Sequence, residues 1–440
     1  ITGYWVWIPR YAYKIESGLF TSTAGEISVK FLQNTSDLDE NGDTISREYS
    51  YTIDEENEVN NHMNDYVVHP AFRDGTSNNF MNGEWDEEVS GFWVAKYEAG
   101  YQANTITDND GTLSTTISNA DDEVIYSDLN YTSYHSSFST NALSQDLSNI
   151  NYSSQNLSYP VFKPLTYSYN IISIGDSYVL SQAIDTANNF YGLNSSMTDS
   201  HQMKNSEWGA VAYLTQSSYG RNGTEITIND YYTNSSTQNP FKTAVTGLVS
   251  SDDSESNTQS LTNVSVYNTT DGINGSTTGN ITGIYDLSGG VLERISGYIS
   301  NGNSQLTNTG VSNGSSGGLM GATSTANSNG YQTLSTRNYT VYPYGVTAGN
   351  SDGYINNYNA YKGLLLSTYG YGDAILEIST GGSGSTSWNS DDSNFATTIA
   401  PFFERGSYYG GSSGAGLFEF DDSSSGTHCA NGFRAVLVAE

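Results

Sequence analysis

The chain has 440 residues and a formal net charge of −32, from 47 acidic and 15 basic side chains. That balance repels phosphate backbones and anionic membrane surfaces, so nucleic acid is not an expected partner, and the self-repulsion favours high salt or bound cations such as structural calcium. Only 36% of residues are apolar, yet 35 are Tyr, more aromatic surface than a disordered chain carries; the expected class is a large, loop-rich, mostly β protein.

The first element is "YWVWIPRYAYKI", residues 4–15, a strand with Trp5, Trp7, Tyr11 and Tyr13 on one alternating face. Pro9 has no N–H to give a ladder, which places it at an edge or a bulge. "ISVKFLQ", 27–33, and "REYSYTI", 47–53, are further strands on either side of an acidic stretch. "GFWVAKYEAG", 91–100, is another aromatic strand, and 101–160 reads as short strands and long loops.

Two helices follow. In 176–192, Leu180, Ala183, Ile184, Ala187 and Phe190 fall at helical spacing, with Asp176 or Ser177 as cap and Gly192 as stop. In 199–220, Met203, Trp208, Val211, Ala212 and Thr215 form one stripe that ends at Gly220. Residues 221–280 and 299–395 are Ser/Thr/Asn/Gly-rich insertions with short hairpins, interrupted by the apolar "AYKGLLLSTYGYGDAILEIS", 360–379, expected to hold core strands. "GIYDLSGGVLERISG", 283–297, crowds Ile284, Tyr285, Leu287, Val291, Leu292 and Ile295 around Gly289 and Gly290, and "NGFRAVLVAE", 431–440, is a closing strand.

These passages form an ordered series: "VWIPRYAYKI", "GFWVAKYEAG", "SEWGAVAYL", "GIYDLSGGVLERISG", "RGSYYGG" and "GFRAVL". The series resembles the formylglycine-generating-enzyme-like branch of the C-type lectin fold. That resemblance implies an α+β architecture, mostly β with two helices, as a single elaborated domain over 1–440. The insertions would be 37–90, 101–160, 222–280 and 299–395, and Gly289 and Gly290 would give the core turn its tight backbone path. The turn departs from the family pattern: Gly290 stands where the family has Asn, and Leu292 and Arg294 stand where it has Trp.

The family's oxidase holds copper on a pair of cysteines beside its Arg-Gly-Gly-Ser segment, as a soft metal requires. Here that segment, 404–422, has no cysteine, and Cys429, the chain's single one, has no partner for a thiolate site or a disulfide. His62, His69, His135, His201 and His428 show no clustered ligand spacing, and neither a phosphate loop nor a nucleophile elbow occurs. No copper site and no enzymatic activity are expected.

The chain also resembles the variable proteins of diversity-generating retroelements, whose variable positions would fall at 405–433. The resemblance implies a contact surface there, built from Tyr408, Tyr409, Ser412, Ser413, Phe418, Glu419, Asp421 and Asp422, with Ser423, Ser424, Ser425 and His428 in the same span. Tyr with Ser and Gly is the composition of paratopes, although these residues are common throughout the chain. Separately, "DLDENGDTISRE", 37–48, fits a calcium-loop pattern, with oxygens from Asp37, Asp39, Asn41 and Glu48, the Asp43 carbonyl, and a sharp turn at Gly42. The bland reading is a solvated acidic hairpin loop. "SWNSDDSN", 387–394, is a weaker match to the Trp-Asn-Asp of calcium-dependent lectins.

Asn-x-Ser/Thr triplets occur at Asn34, Asn130, Asn151, Asn156, Asn194, Asn222, Asn234, Asn263, Asn268, Asn274, Asn280, Asn313 and Asn338. In a chain this rich in Asn, Ser and Thr, roughly a dozen arise by chance, so their number carries no weight. Composition matches secreted and surface proteins, no stretch reaches a membrane-spanning length, and the sequence opens at Ile1, compatible with a leader or anchor upstream. The expectation is an extracellular or cell-surface protein that binds a protein or glycan. A filament subunit that binds copies of itself is the alternative, and a formylglycine-type oxidase is remote.

Overall fold

The computed structural model describes residues 2–53, 59–74, 85–105, 160–170, 172, 174–185, 191–232, 244–250, 263–299, 337, 339–342, 352–368, 372–424 and 430–439. Most of the expected insertions 101–160 and 299–395, the triplets at Asn130, Asn151, Asn156, Asn234, Asn313 and Asn338, and His428 and Cys429 lie outside the described residues.

The aromatic opening is two strands, not one. Trp5–Pro9 pairs antiparallel with Gly91–Ala95, whereas Tyr11–Ile15 pairs with Ile27–Phe31 and Val67–Val68 in a separate three-stranded sheet. The switch falls at Arg10, whose buried guanidinium donates to the Phe72 carbonyl at 2.7 Å and pairs with Asp37 at 2.6 Å. The expected shared face is therefore split: Tyr11 and Tyr13 are buried, while Trp5 and Trp7 are only partly covered. Pro9 lies on an edge strand, where its missing N–H costs no ladder bond.

The closing segment divides the same way. Asn431–Phe433 runs parallel to Leu292–Arg294 in a five-stranded sheet, and Ala435–Ala439 enters the four-stranded sheet between Gly91–Ala95 and Thr198–Gln202. The residue between the two strands is Arg434, also fully buried. The four-stranded sheet is thus entered and left through a buried arginine. Its two faces pack on different clusters. Ile8, Phe92, Val94, Val436 and Val438 join Trp208 and Leu287. Ala95, Ala435 and Leu437 join Phe433 and Tyr178. Trp7 and Trp93 pair at 5.1 Å on the second face, with Trp93 still 41% exposed.

Among the described residues there are three α-helices, where two were expected. The first, α1, spans Ile174–Gln182, beginning two residues before its expected start, and buries Leu180 with Ala183 and Ile184 just beyond it. The second, α2, spans Asn205–Gln216. Its expected stripe is buried, but residues 198–202 form a strand instead of its first turns. The helix starts after Lys204, where the Glu207 carboxylate accepts the Lys204 backbone N–H at 2.9 Å and fixes the entry angle. Gly209 lets α2 approach the 372–373 backbone: a Cβ there would stand 1.8 Å from the Gly372 carbonyl oxygen.

The third helix, α3, spans Asp352–Thr368, where core strands were expected from 360 onward. The buried positions Asn357, Tyr358 and Tyr361 have helical spacing, and their large side chains outweigh the poor propensity of the surrounding Asn and Gly. The rest of the apolar passage, 372–379, is buried without forming a strand.

Candidate functional site

The core turn is the base on which the 405–424 segment rests. Asp286, Gly289 and Gly290 all have left-handed backbone, with φ of 60°, 75° and 74°. Gly290 is required by approach as well: a Cβ there would lie 2.9 Å from Glu98 Oε2. That same oxygen accepts the Val291 N–H at 3.0 Å. The Asp286 carboxylate accepts the Gly247 N–H at 2.9 Å and the Asn229 amide at 3.1 Å.

Arg434 closes the turn. Its guanidinium donates to both oxygens of Glu293, at 2.9 and 3.1 Å through Nε, and to the carbonyls of Ala95, Tyr285 and Asp286. Burial lifts the Glu293 carboxyl to about 7 despite the pull of Arg434. Burial, with Asp286 and Glu293 nearby, pushes Glu98 well above the usual range. Glu293 pairs with Arg434 directly and Asp286 feels its charge, whereas Glu98 is held by the Val291 amide and the Ser168 hydroxyl.

From this base the chain runs through Phe402–Arg405, antiparallel to Leu292–Ile299 and to Phe420–Ser423. Arg405 is buried beside the Trp208 ring, 5.4 Å from its centroid, and donates to the carbonyls of Asp373 and Ala374. Trp208 Nε1 donates to the Leu417 carbonyl at 2.9 Å. Glu419 accepts the Ser407 N–H at 3.0 Å, and Asp391 accepts the Phe418 N–H at 2.9 Å. Arg294 reaches Ser423 Oγ at 3.0 Å and pairs with Glu404 at 3.3 Å. Tyr409 N–H donates to the Gly290 carbonyl at 2.9 Å, tying the segment directly to the core turn.

The expected contact residues therefore separate into two groups. Tyr409, Phe418 and Glu419 are buried and belong to the support, which corrects their expected place on an open surface. Tyr409 stacks on Tyr232 with centroids 5.0 Å apart, and Phe418 meets Trp388 edge-on. Tyr408, Ser412, Asp421 and Asp422 are half-buried, and Ser413 and Ser424 are exposed. Tyr408 stands edge-on to Tyr409 at 5.2 Å. The Thr397 hydroxyl donates to Asp422 at 3.0 Å, and burial, with Asp421 beside it, raises the Asp422 carboxyl to about 7. Ile399, two residues from Thr397, is strongly exposed.

In the 37–48 loop, the carboxylates of Asp37 and Asp39 are engaged by protein groups. Asp37 pairs with Arg10 and Arg47, each at 2.6 Å. Asp39 accepts the N–H groups of Asn41 and Asp43 at 2.9 and 3.0 Å and pairs with Lys30 at 2.9 Å, and Lys30 with these amides holds it below the usual carboxylate range. The Asp43 carbonyl accepts the Asp39 N–H at 3.0 Å, and the Glu48 N–H donates to Ser46 Oγ. Among the described residues, no three or more His, Cys, Asp or Glu side chains converge as a metal site.

Sequence reasoning treated His201 as a lone histidine. The structure puts it between two carboxylates, Asp199 at 2.5 Å and Glu207 at 2.8 Å, beneath the Trp85 ring. Burial alone would lower its pKa, but Glu207 and Asp199 raise it to about 9. Lys204 lies 3.7 Å from the Trp85 centroid. The spacing Asp199, His201, Glu207 was visible in the sequence, but the strand-to-helix break that folds it together was not.

No family model matches the chain, and no curated protein matches it. What the fold defines is a mixed α+β protein, mostly sheet with few helices. Among the described residues no helix is long and apolar enough to cross a membrane.

Proposed function

We propose that the chain is a non-enzymatic extracellular or cell-surface protein that presents the 405–424 face, on a C-type-lectin-like scaffold, to a protein or glycan ligand. One observation carries this reading. The backbone of the segment is pinned from below by buried charged groups, while Tyr408, Ser412, Ser413, Asp421 and Asp422 are held at its accessible side. A surface built this way exchanges its outer side chains without disturbing its support, and pre-organisation lowers the entropy lost on binding. The scaffold reading is supported by residues 5–9, 91–95 and 435–439 meeting in one sheet, since these lie in motif passages far apart in sequence. The filament reading is less favoured, because copies carrying −32 each repel one another at low salt.

The test compares the labelled chain with a Tyr408→Ala/Ser413→Arg variant on a glycan array and on intact cells. Binding should weaken about tenfold or more in the variant, the scale of losing one aromatic anchor, with the melting temperature unchanged. Equal binding by both proteins removes this face from the reading, and no binding by the parent chain removes the reading itself.

A further inference from the structure

Seven of the Asn-x-Ser/Thr triplets lie in described residues, and all seven asparagines are exposed: Asn34, Asn194, Asn222, Asn263, Asn268, Asn274 and Asn280. Exposure does not separate them, because asparagine in a turn is normally exposed. Hydrogen bonding marks out two of them. At Asn194, the side-chain carbonyl oxygen accepts both the N–H and the hydroxyl of Ser196, each at 3.0 Å. At Asn280, it accepts the N–H of Thr282 at 2.8 Å and its hydroxyl at 2.5 Å. In both, the third residue of the triplet turns back onto the first through two bonds. In two other triplets the hydroxyl is spent differently: Ser36 donates to the Gln33 carbonyl, and Ser276 to the carbonyls of Ile273 and Asn280.

This geometry matters for amide chemistry. An amide nitrogen is a weak nucleophile because its lone pair is delocalised into the carbonyl. A hydroxyl donating to that carbonyl oxygen polarises the group and makes the N–H more acidic; the Asn280 nitrogen also donates to the Thr278 carbonyl at 3.4 Å, a long bond on an exposed turn. A second feature coincides with the first. Met197 follows the Asn194 triplet and is 65% exposed, and Ile281, the middle residue of the Asn280 triplet, is 47% exposed. Both are among the few large apolar side chains left open in the described residues. A sugar ring fixed at Asn194 or Asn280 stands three residues from Met197 and one from Ile281, close enough to cover that apolar area.

We propose that Asn194 and Asn280 are N-glycosylated, and that the first sugar of each glycan shields Met197 and Ile281. The amide Nδ2 attacks C1 of a glycosyl group carried on a polyprenyl diphosphate. The new Nδ2–C1 bond replaces the C1–O bond, the polyprenyl diphosphate departs with the bonding pair, and the nitrogen's proton passes to a base of the transferase. The assignment is independent of the 405–424 face, since neither asparagine belongs to it.

The test is made on the full chain purified from its native source. Digestion with peptide:N-glycosidase in heavy-oxygen water converts each glycosylated Asn into labelled Asp, which peptide mass spectrometry locates. Label at Asn194 and Asn280 is expected. Loss at one site only should follow from Ser196→Ala or Thr282→Val, and deglycosylated protein should bind an apolar dye more strongly than the glycosylated form. Unlabelled Asn194 and Asn280 overturn the proposal, as does label confined to the other triplets. Label at both sites with unchanged dye binding overturns the shielding role.

Discussion

Arg434 offers the most demanding test of how this protein is held together. Replacing it with Met removes a buried partner from Glu293 and a charged donor from the carbonyls of Ala95, Tyr285 and Asp286. Breaking a buried ion pair from one side costs about 3–5 kcal/mol, and carbonyls left without a donor add about 1 kcal/mol between them, since some find new partners. The expected loss is about 5 kcal/mol, on the order of the whole stability of many domains. Urea unfolding followed by tryptophan fluorescence at mildly alkaline pH, where Glu293 is ionised, reads it directly. The double variant Arg434→Met/Glu293→Gln removes both charges and should recover about 2 kcal/mol or more, because a neutral replacement of a buried pair is often tolerated. A single-variant loss below about 1 kcal/mol, or a double variant no better than the single, refutes the view that this pair is desolvated and obligatory.

Other consequences are equally direct. The His201 imidazolium has a folded pKa of about 9, above that of a free histidine, so its contribution is complete below about pH 6.5 and is lost as pH rises through about 9. The melting temperature of the parent chain should fall over that window, and that of His201→Gln should start lower and change less; parallel profiles would refute the assignment. Gly209→Ala should destabilise by about 2 kcal/mol despite the better helix propensity of Ala, since the added methyl meets the Gly372 carbonyl; a gain in thermal stability would show that the two backbones separate easily. Sodium chloride should raise the melting temperature by screening a net charge of −32, and a flat or falling dependence would contradict net self-repulsion.

Much of the framework was legible in the sequence, for identifiable reasons. Strands were expected at 27–33 and, from its aromatic residues, at 91–100, and strands stand at Ile27–Phe31 and Gly91–Ala95; the stripe Trp208, Val211, Ala212, Thr215 marked α2 because each of those positions is buried. What alternation does not encode is a change of sheet. Trp5 to Ile15 keeps period two across Arg10, so nothing in the pattern signals that the strand leaves one sheet for another. The same holds at Arg434. The helix α3 was obscured because Tyr358 and Tyr361 lie among residues of low helix propensity, and packing decided the outcome. At the candidate site, a resemblance pointed to the segment, but the sequence could not sort Tyr408 from Tyr409. That depends on Tyr232, far away in sequence, providing a ring to stack against.

The position of Ala435–Ala439 has a consequence for biogenesis. This strand lies between Gly91–Ala95 and Thr198–Gln202, yet it is synthesised after both. Until it arrives, the two flanking strands present unpaired backbone edges to a slot one strand wide. Closure waits on contacts spanning hundreds of positions, the kind that slows folding most. During that interval the equivalent strand of a neighbouring nascent copy fits the slot as well as the chain's own, so strand exchange between copies is the characteristic error this topology invites.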